Sequence, residues 1–305
     1  MRKENMEQEI LRPRPLRHGD RVAIVSPAGI IKPQTVYQAM PVITDQGWAA
    51  YVGKHTFDRW QTYGGRDEDR YADLEAALTD PDTRAIICSR GGYGAVHLLE
   101  QLDKLPLRDD PKWIVGYSDI SALHALMTKH GIESIHGPMC KHLMRENGHD
   151  SDSRVLMELL SGTRRPMEWP GNSLNRPGTA EGILTGGNLA VIAGLENTPF
   201  DVLKAGNILF IEDIAEPVYK VERILYNLQL SGVLSGLKGL IVGRFTDYTP
   251  GEETMDQMVA RMVSRYDYPV AFGAPVGHVD HNTPLVCSAR VKLIVSQASS
   301  RLEYL

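Results

Sequence analysis

The sequence predicts a two-domain α/β protein. In the first half of the chain, short apolar runs alternate with helical patterns of about ten residues, which indicates βαβ units around a parallel sheet. The length of 305 residues exceeds that of a typical single domain. Between about residues 162 and 178 the periodicity stops and proline–glycine turns follow one another. We therefore expect an N-terminal α/β domain at 1–165, a linker at 166–180 and a C-terminal domain at 181–305.

Strands and helices alternate through the first domain. Residues up to about Arg17 are polar and contain prolines, so we expect them to lie over the surface. Short apolar runs then predict buried strands, and apolar residues at helical spacing predict the helices between them. The strands are predicted at 21–25, 49–52, 85–88, 113–115 and 135, and the helices at 36–46, 71–79, 95–102 and directly after Ser118.

The second domain is predicted to be mixed. Strands are expected at 180–184, 208–211, 239–243 and 289–295, and helices at 187–195, 219–231 and 255–266. The sequence does not determine the order of these strands, so both α+β and α/β arrangements stay open.

Composition excludes several classes of function. A net charge of -5 provides no basic face for nucleic acid. No stretch approaches the roughly 18 apolar residues of a spanning helix, and residues 1–15 lack the apolar core of an export signal. Three cysteines far apart in sequence, Cys88, Cys140 and Cys287, suit a reducing compartment. We expect a cytoplasmic protein with neither nucleic-acid nor membrane partners.

The turn Gly116-Tyr117-Ser118 ends an apolar run and begins a helix. Parallel sheets place their chemistry at this edge, where the first helical N–H groups are unpaired. Ser118 is therefore a candidate nucleophile. Serine is also among the best helix-capping residues, and the turn lacks the second glycine of a G-x-S-x-G motif, so taken alone it indicates a cap.

The loop from Ser89 to Gly94 contains three glycines between a strand and a helix. Its pattern fits neither a phosphate-binding P-loop nor a dinucleotide-binding motif. The backbone amide of Gly91 or Gly92, together with that of Asp119, is expected to form an oxyanion hole. The alternative is that the loop is only a tight turn and binds no ligand. Arg90 beside this loop is a candidate for holding a substrate carboxylate.

The base and the orienting acid are sought among ten histidines and the acidic strand ends. His278, in a glycine-bracketed loop, is the best candidate, His281 is its rival, and His136 could line the cleft. Glu212 directly follows four apolar residues at the end of a strand, which favours it as the orienting acid. Glu216 precedes a helix, where an acidic residue stabilises the helix dipole and needs no catalytic role. The His-x-Asp-His grouping at 278–281 could ligate a metal, but no further ligand cluster has a recognisable spacing, so we expect no metal.

Several stretches together resemble the LD-carboxypeptidase family of serine peptidases, which includes murein tetrapeptide carboxypeptidases and microcin C self-immunity proteins. The matching stretches occur in the expected order from residue 21 to about 295: Ser26-Pro27-Ala28, residues 66–74, 85–94 and 115–121, His136-Gly137-Pro138-Met139, residues 181–189, 210–213 with Glu216, and Gly277-His278. The sequence departs from the family after His278, where Pro284-Leu285-Val286-Cys287 replaces the usual Leu-Pro-hydrophobic-Gly sequence.

The resemblance implies a Ser-His-Glu triad of Ser118, His278 and Glu212, with oxyanion donors at Asp119 and the Gly91-Gly92 loop. It implies release of terminal D-alanine from muropeptide tetrapeptides in peptidoglycan recycling, without a cofactor and commonly by a homodimer. The implied fold is an N-terminal flavodoxin-like parallel-sheet domain with a smaller mixed α/β C-terminal domain. Two alternatives remain: a microcin C-type peptide-nucleotide amidase, and a non-catalytic module in which residues 90–94 bind an anion or peptide.

Overall fold

The computed structural model describes residues 9–305, which form two β-sheets with helices packed around them. Residues 1–8 of the expected surface segment lie outside the described residues. The strands are β1 (Arg21–Val25), β2 (Ala49–Val52), β3 (Thr83–Cys88), β4 (Trp113–Gly116), β5 (Ser134–His136), β6 (Met167–Pro170), β7 (Gly178–Asn188), β8 (Ile208–Ile214), β9 (Gly239–Thr246), β10 (Val270–Gly277), β11 (Leu285–Cys287), β12 (Arg290–Val295) and β13 (Ser299–Tyr304).

The helices are α1 (Pro33–Thr44), α2 (Asp67–Thr79), α3 (Leu99–Leu102), α4 (Ser121–Lys129), α5 (Cys140–Leu143), α6 (Ser151–Leu160), α7 (Leu189–Ala193), α8 (Val218–Leu230), α9 (Val233–Gly236) and α10 (Met255–Val263). Short 3₁₀ turns occupy Ala95–Leu98, Ser118–Ile120 and Arg145–Gly148. None of the helices within residues 9–305 is long and apolar enough to cross a membrane.

The first sheet has the strand order β11-β5-β4-β3-β1-β2. Its pairings from β2 to β5 are all parallel, as the alternation of strands and helices predicts. Successive residues of β1 enter two different apolar cores, with Val22 and Ile24 in one and Ala23 and Val25 in the other. A sheet covered on both faces explains why its strands are continuous apolar runs.

The second sheet is mixed and has the order β10-β9-β8-β7-β12-β13-β6. β7 to β10 are parallel neighbours, whereas β12, β13 and β6 extend the sheet antiparallel. The expected start of a helix at residue 187 is wrong, because β7 continues to Asn188. The Asn188 side chain then accepts a hydrogen bond from the Val191 amide and caps α7.

The expected boundaries between domains stay a prediction. The segment 166–180 contains β6 and the first residues of β7, and both belong to the second sheet. β11, from the C-terminal part of the chain, pairs antiparallel with β5 in the first sheet. The second sheet also contacts α4, where the backbone amide of Asn188 donates to Ser121 Oγ at 2.9 Å. The halves of the chain therefore share one continuous core region around α4.

Candidate active site

Ser118 lies in a sharp turn between β4 and α4. Tyr117 is extended, with φ −148° and ψ −174°, and Ser118 then adopts a φ of +66°. Positive φ is uncommon outside glycine, and such strained residues concentrate at functional sites. Neither the 3₁₀ turn nor α4 has a side-chain capping hydrogen bond, so the capping alternative does not describe Ser118.

One chain of hydrogen bonds joins Ser118, His278 and Glu212. His278 Nε2 lies 3.0 Å from Ser118 Oγ, and His278 Nδ1 lies 2.8 Å from Glu212 Oε2. Ser118 follows the end of β4, Glu212 lies in β8 and His278 directly follows β10, so the group draws on both sheets. This arrangement has the connectivity of a serine nucleophile, a base and an acid that orients the base.

Gly277 makes room for the carboxylate beside His278. Its φ is +125°, and a Cβ atom added there would lie 2.9 Å from Glu212 Oε2. Glycine thus provides both the backbone conformation and the space that the Glu212–His278 contact requires. The Glu212 side chain is completely buried, so its charge acts on His278 with little solvent screening.

The environment of His278 favours its protonated form. Burial lowers the pKa of the imidazole, but the hydrogen bond and charge of Glu212 outweigh this effect, aided by Asp213 and Asp247. The net result is a pKa above its ordinary value of 6.5. A base that takes the serine proton requires this stabilisation of the imidazolium.

Two other acidic residues near Glu212 have different surroundings. Glu216 is partly exposed and lies 3.4 Å from Lys220 one turn along α8. Asp213 accepts hydrogen bonds from Asn188 Nδ2 and the Ala190 amide, both at 2.8 Å, and burial raises its pKa to about 6. Of these carboxylates, Glu212 is the one hydrogen-bonded to His278.

The predicted oxyanion donors lie against the serine. A Cβ atom added to Gly91 would be only 2.7 Å from Ser118 Cβ, so the glycine loop and the serine turn touch. No backbone–backbone hydrogen bond within residues 9–305 uses the amides of Gly91, Gly92 or Asp119. Unpaired amides next to a nucleophile are suited to an oxyanion. The Asp119 carboxylate accepts from the Ala95 amide at 2.9 Å and ties the two loops together.

A cavity of about 360 Å³ opens over Ser118 and His278. Arg90 lines it, with Nε donating to the Gly91 carbonyl at 3.1 Å and Nη1 to the Ile30 carbonyl at 2.9 Å. The sequence interpretation missed several other lining residues, which are Ile31, Tyr117, Met139, Lys141, His142 and Ile214. Lys141 and His142 follow β5, and the position of β5 in the parallel sheet was the available signal.

Two histidines proposed from the sequence lie elsewhere. His136 is completely buried, packs edge-on against Phe210 with ring centroids 5.1 Å apart, and does not line the cavity, so that expectation is wrong. Burial holds the pKa of His136 well below its usual value. His281 is 78% exposed, and Asp280 pairs with Arg145 at 2.9 Å. The His-x-Asp-His grouping therefore does not converge on a single point.

Two clusters within residues 9–305 bring three metal-ligating side chains together: His55, Asp58 and Asp69, and His142, Asp150 and Asp152. In the first, His55 Nδ1 lies 2.7 Å from Asp58 Oδ2. In the second, His142 Nε2 lies 3.0 Å from Asp150 Oδ1. Asp150 also caps α6. Hydrogen bonds of the fold thus pair His55 with Asp58 and His142 with Asp150.

Comparison with known proteins follows the same two halves of the chain. The model of the LD-carboxypeptidase N-terminal domain matches residues 22–137, and that of the LD-carboxypeptidase C-terminal domain matches residues 181–293. A murein tetrapeptide carboxypeptidase of Pseudomonas aeruginosa is 32% identical over 276 residues, which cover 86% of this chain and 89% of the relative.

Solved structures share the fold. A muramoyltetrapeptide carboxypeptidase from Oxalobacter formigenes superposes with a TM-score of 0.85 at 29% identity, covering 93% of this chain and 98% of the other. The microcin C7 self-immunity protein in complex with aspartyl sulfamoyl adenosine gives a TM-score of 0.84 at 20% identity, covering 97% and 99%. At that identity the second likeness concerns the fold alone.

Proposed function

This chain belongs to the LD-carboxypeptidase family and is a serine-type carboxypeptidase, and we propose that it releases terminal D-alanine from muropeptide tetrapeptides. The bond cleaved would join D-alanine to the L-centre of the preceding residue. The observation that carries the proposal is the hydrogen-bonded series Ser118–His278–Glu212, whose serine and histidine line the cavity. The name of the Pseudomonas relative, murein tetrapeptide carboxypeptidase, supports the same substrate class.

In the proposed reaction, Ser118 Oγ attacks the scissile carbonyl while His278 Nε2 takes its proton. His278 then protonates the departing amine as the C–N bond breaks, which frees D-alanine and leaves an ester on Ser118. Water, deprotonated by His278, hydrolyses this ester and restores the serine. Throughout, Glu212 holds the Nδ1–H and stabilises the imidazolium. The amides of Gly91, Gly92 and Asp119 would bind the oxyanion formed in both halves of the reaction.

The direct test offers the enzyme a tetrapeptide ending in D-alanine, the same peptide ending in L-alanine, and an aminoacyl-nucleotide amide. We expect free D-alanine from the first peptide and a rate at least about 100-fold lower for the L-epimer. The L-epimer exchanges the positions of the terminal methyl and hydrogen, so a site that holds the D-alanine carboxylate would misplace the scissile bond relative to Ser118. Preferential cleavage of the nucleotide amide would favour the microcin C-type alternative. Binding of the peptides without any product would favour the non-catalytic module.

We further propose that Arg90 holds the terminal carboxylate of the substrate. Two of its donors already bond backbone carbonyls, which fixes the guanidinium at the cavity wall with its remaining N–H groups available. Arg90→Gln is expected to raise KM by about 10- to 100-fold, the equivalent of about 1.5–3 kcal/mol for a charged hydrogen bond.

A matched substrate isolates this contact. A tetrapeptide whose terminal carboxylate is replaced by a carboxamide lacks the charge that Arg90 would bind, so wild type and Arg90→Gln are expected to turn it over with similar KM values. Steady-state measurements on both peptides check this. An equal increase in KM for the acid and the amide would contradict the assignment.

The physiological setting belongs to the same proposal: a cytoplasmic homodimer that recycles peptidoglycan fragments without a cofactor. Three buried, unpaired cysteines support a reducing compartment. An apolar stripe on α8 formed by Tyr219, Tyr226 and Leu230, the last of which is 82% exposed, supports a surface that a second subunit covers.

A further inference from the structure

The loop between β10 and β11 carries His278, and it is closed on itself by buried hydrogen bonds. Asn282 Oδ1 accepts from the amide of Gly277, the residue before His278, at 2.9 Å. The Thr283 amide donates to the Pro275 carbonyl at 2.8 Å. Asn282 is almost completely buried. The far side of the loop therefore fixes the backbone from which the His278 side chain projects.

A carboxylate from the other half of the chain holds this loop. Asp152 Oδ2 accepts from the Asn282 amide at 2.9 Å, and Asp152 Oδ1 accepts from Thr283 Oγ1 at 3.1 Å. Asp152 is buried and lies in the first turn of α6, where its own amide bonds the capping side chain of Asp150 at 3.0 Å. Both oxygens of a rigidly placed carboxylate are thus committed to one loop.

We infer that Asp152 is a positioning residue that sets the His278 imidazole against Ser118. The inference rests on the proposed function, in which His278 is the base. Ser118 extends from the first sheet and His278 from the second, so their contact depends on how the two parts of the chain are held together. Asp152 links α6, on the Ser118 side of the chain, to Asn282, which in turn holds Gly277.

Asp152 is hydrogen-bonded to the loop backbone and to Thr283, whereas its two imidazole neighbours lie farther away. The nearest imidazole nitrogens, His281 Nδ1 and His142 Nε2, lie 3.7 and 3.8 Å from Asp152 Oδ2, beyond hydrogen-bond distance. Asp280, on the solvent side of the same loop, pairs with Arg145 on the surface. An exposed pair of this kind contributes little, so Asp280 provides a matched control on the same loop.

The test measures kcat, KM and Tm for Asp152→Ala, Asp152→Asn, Asn282→Ala and Asp280→Asn. Asp152→Ala and Asn282→Ala are each expected to lower kcat about 100-fold with KM within about threefold, since a displacement of about 1 Å has this effect on a reacting group. Asp152→Asn should recover most of kcat, because its amide oxygen accepts from Asn282 and the Thr283 hydroxyl can reverse its role. Asp280→Asn should match wild type.

A double-mutant cycle completes the experiment. If Asp152 acts through Asn282, the double alanine variant should be no slower than either single variant. A lower Tm with unchanged kcat in both alanine variants would overturn the inference and leave Asp152 a structural residue. Asn282→Ala and Asp152→Asn keep the test decisive if Asp152→Ala does not fold. His278→Ala, measured in parallel, separates failure of the Asp152 inference from failure of the proposed function. An active His278→Ala enzyme would refute the proposed function itself.

Discussion

Replacing Ser118 with alanine is expected to lower kcat/KM for D-alanine release by about 10⁴- to 10⁶-fold. The substitution removes the atom that attacks the carbonyl, while the oxyanion donors and the cavity remain and preserve the residual acceleration that triad enzymes retain. KM should change little, since Ser118 adds only a small contact to the bound ground state. Chromatographic quantification of D-alanine from a tetrapeptide substrate measures the loss.

Ser89 provides the control for this experiment. It also lines the cavity, but its hydroxyl is buried and bonded to Ser26 Oγ at 2.6 Å. Ser89→Ala should therefore cost less than about tenfold, through loss of one neutral hydrogen bond. Circular dichroism and Tm values near wild type for both variants ensure that the comparison concerns chemistry. Equal D-alanine release by wild type and Ser118→Ala would show that another group is the nucleophile.

The fold of the first sheet was predictable because its determinants are local. The run from Val22 to Val25 is apolar at every position, which only a strand covered on both faces accommodates in a parallel sheet. The Gly116-Tyr117-Ser118 turn, and Glu212 within the apolar strand β8, likewise follow from short patterns. These positions together with His278 account for the hydrogen-bonded series at the cavity.

Other features depend on contacts that no short pattern carries. β10 contains the turn formers Gly273, Pro275 and Gly277, so the sequence predicts a loop before His278. Pairing with β9 makes this segment a strand. β11 joins the first sheet through its pairing with β5. The role inferred for Asp152 depends on a contact across 130 residues.

Lys141 and His142 show a different limit. Both line the cavity because they follow the end of β5, at the carboxyl edge of the first sheet. Nothing in the residue types of this segment distinguishes a cavity wall from a surface turn. By contrast, His136 is the last residue of β5, and its side chain is completely buried against Phe210 rather than at the cavity.

Glu212→Gln is expected to lower kcat by about 10⁴-fold, the effect of the equivalent change in a Ser-His-Asp triad. Glutamine keeps the size of the side chain, but its amide can present a donor to Nδ1, which selects the wrong imidazole tautomer. It also removes the charge that stabilises the imidazolium. Glu216→Gln is the matched control, because it removes only a partly exposed contact with Lys220, and its kcat should remain within about twofold of wild type.

The pH profile distinguishes this role of Glu212 from a purely structural one. The base must be neutral to take the serine proton, so kcat/KM should fall on the acidic side with a midpoint at the pKa of His278, above 6.5 in wild type. Burial lowers the pKa of His278 and the Glu212 charge opposes it, so the residual activity of Glu212→Gln should have its acidic midpoint below that of wild type. A lower rate of Glu212→Gln with an unshifted midpoint would contradict electrostatic coupling between Glu212 and His278. A midpoint that shifts in Glu216→Gln and not in Glu212→Gln would identify Glu216 as the orienting acid. Glu212 lies in the second sheet and His278 directly follows it, whereas Ser118 follows a strand of the first sheet. Glu212→Gln should therefore leave the Ser118 turn unchanged, so a shifted midpoint reports the loss of the Glu212 charge beside His278.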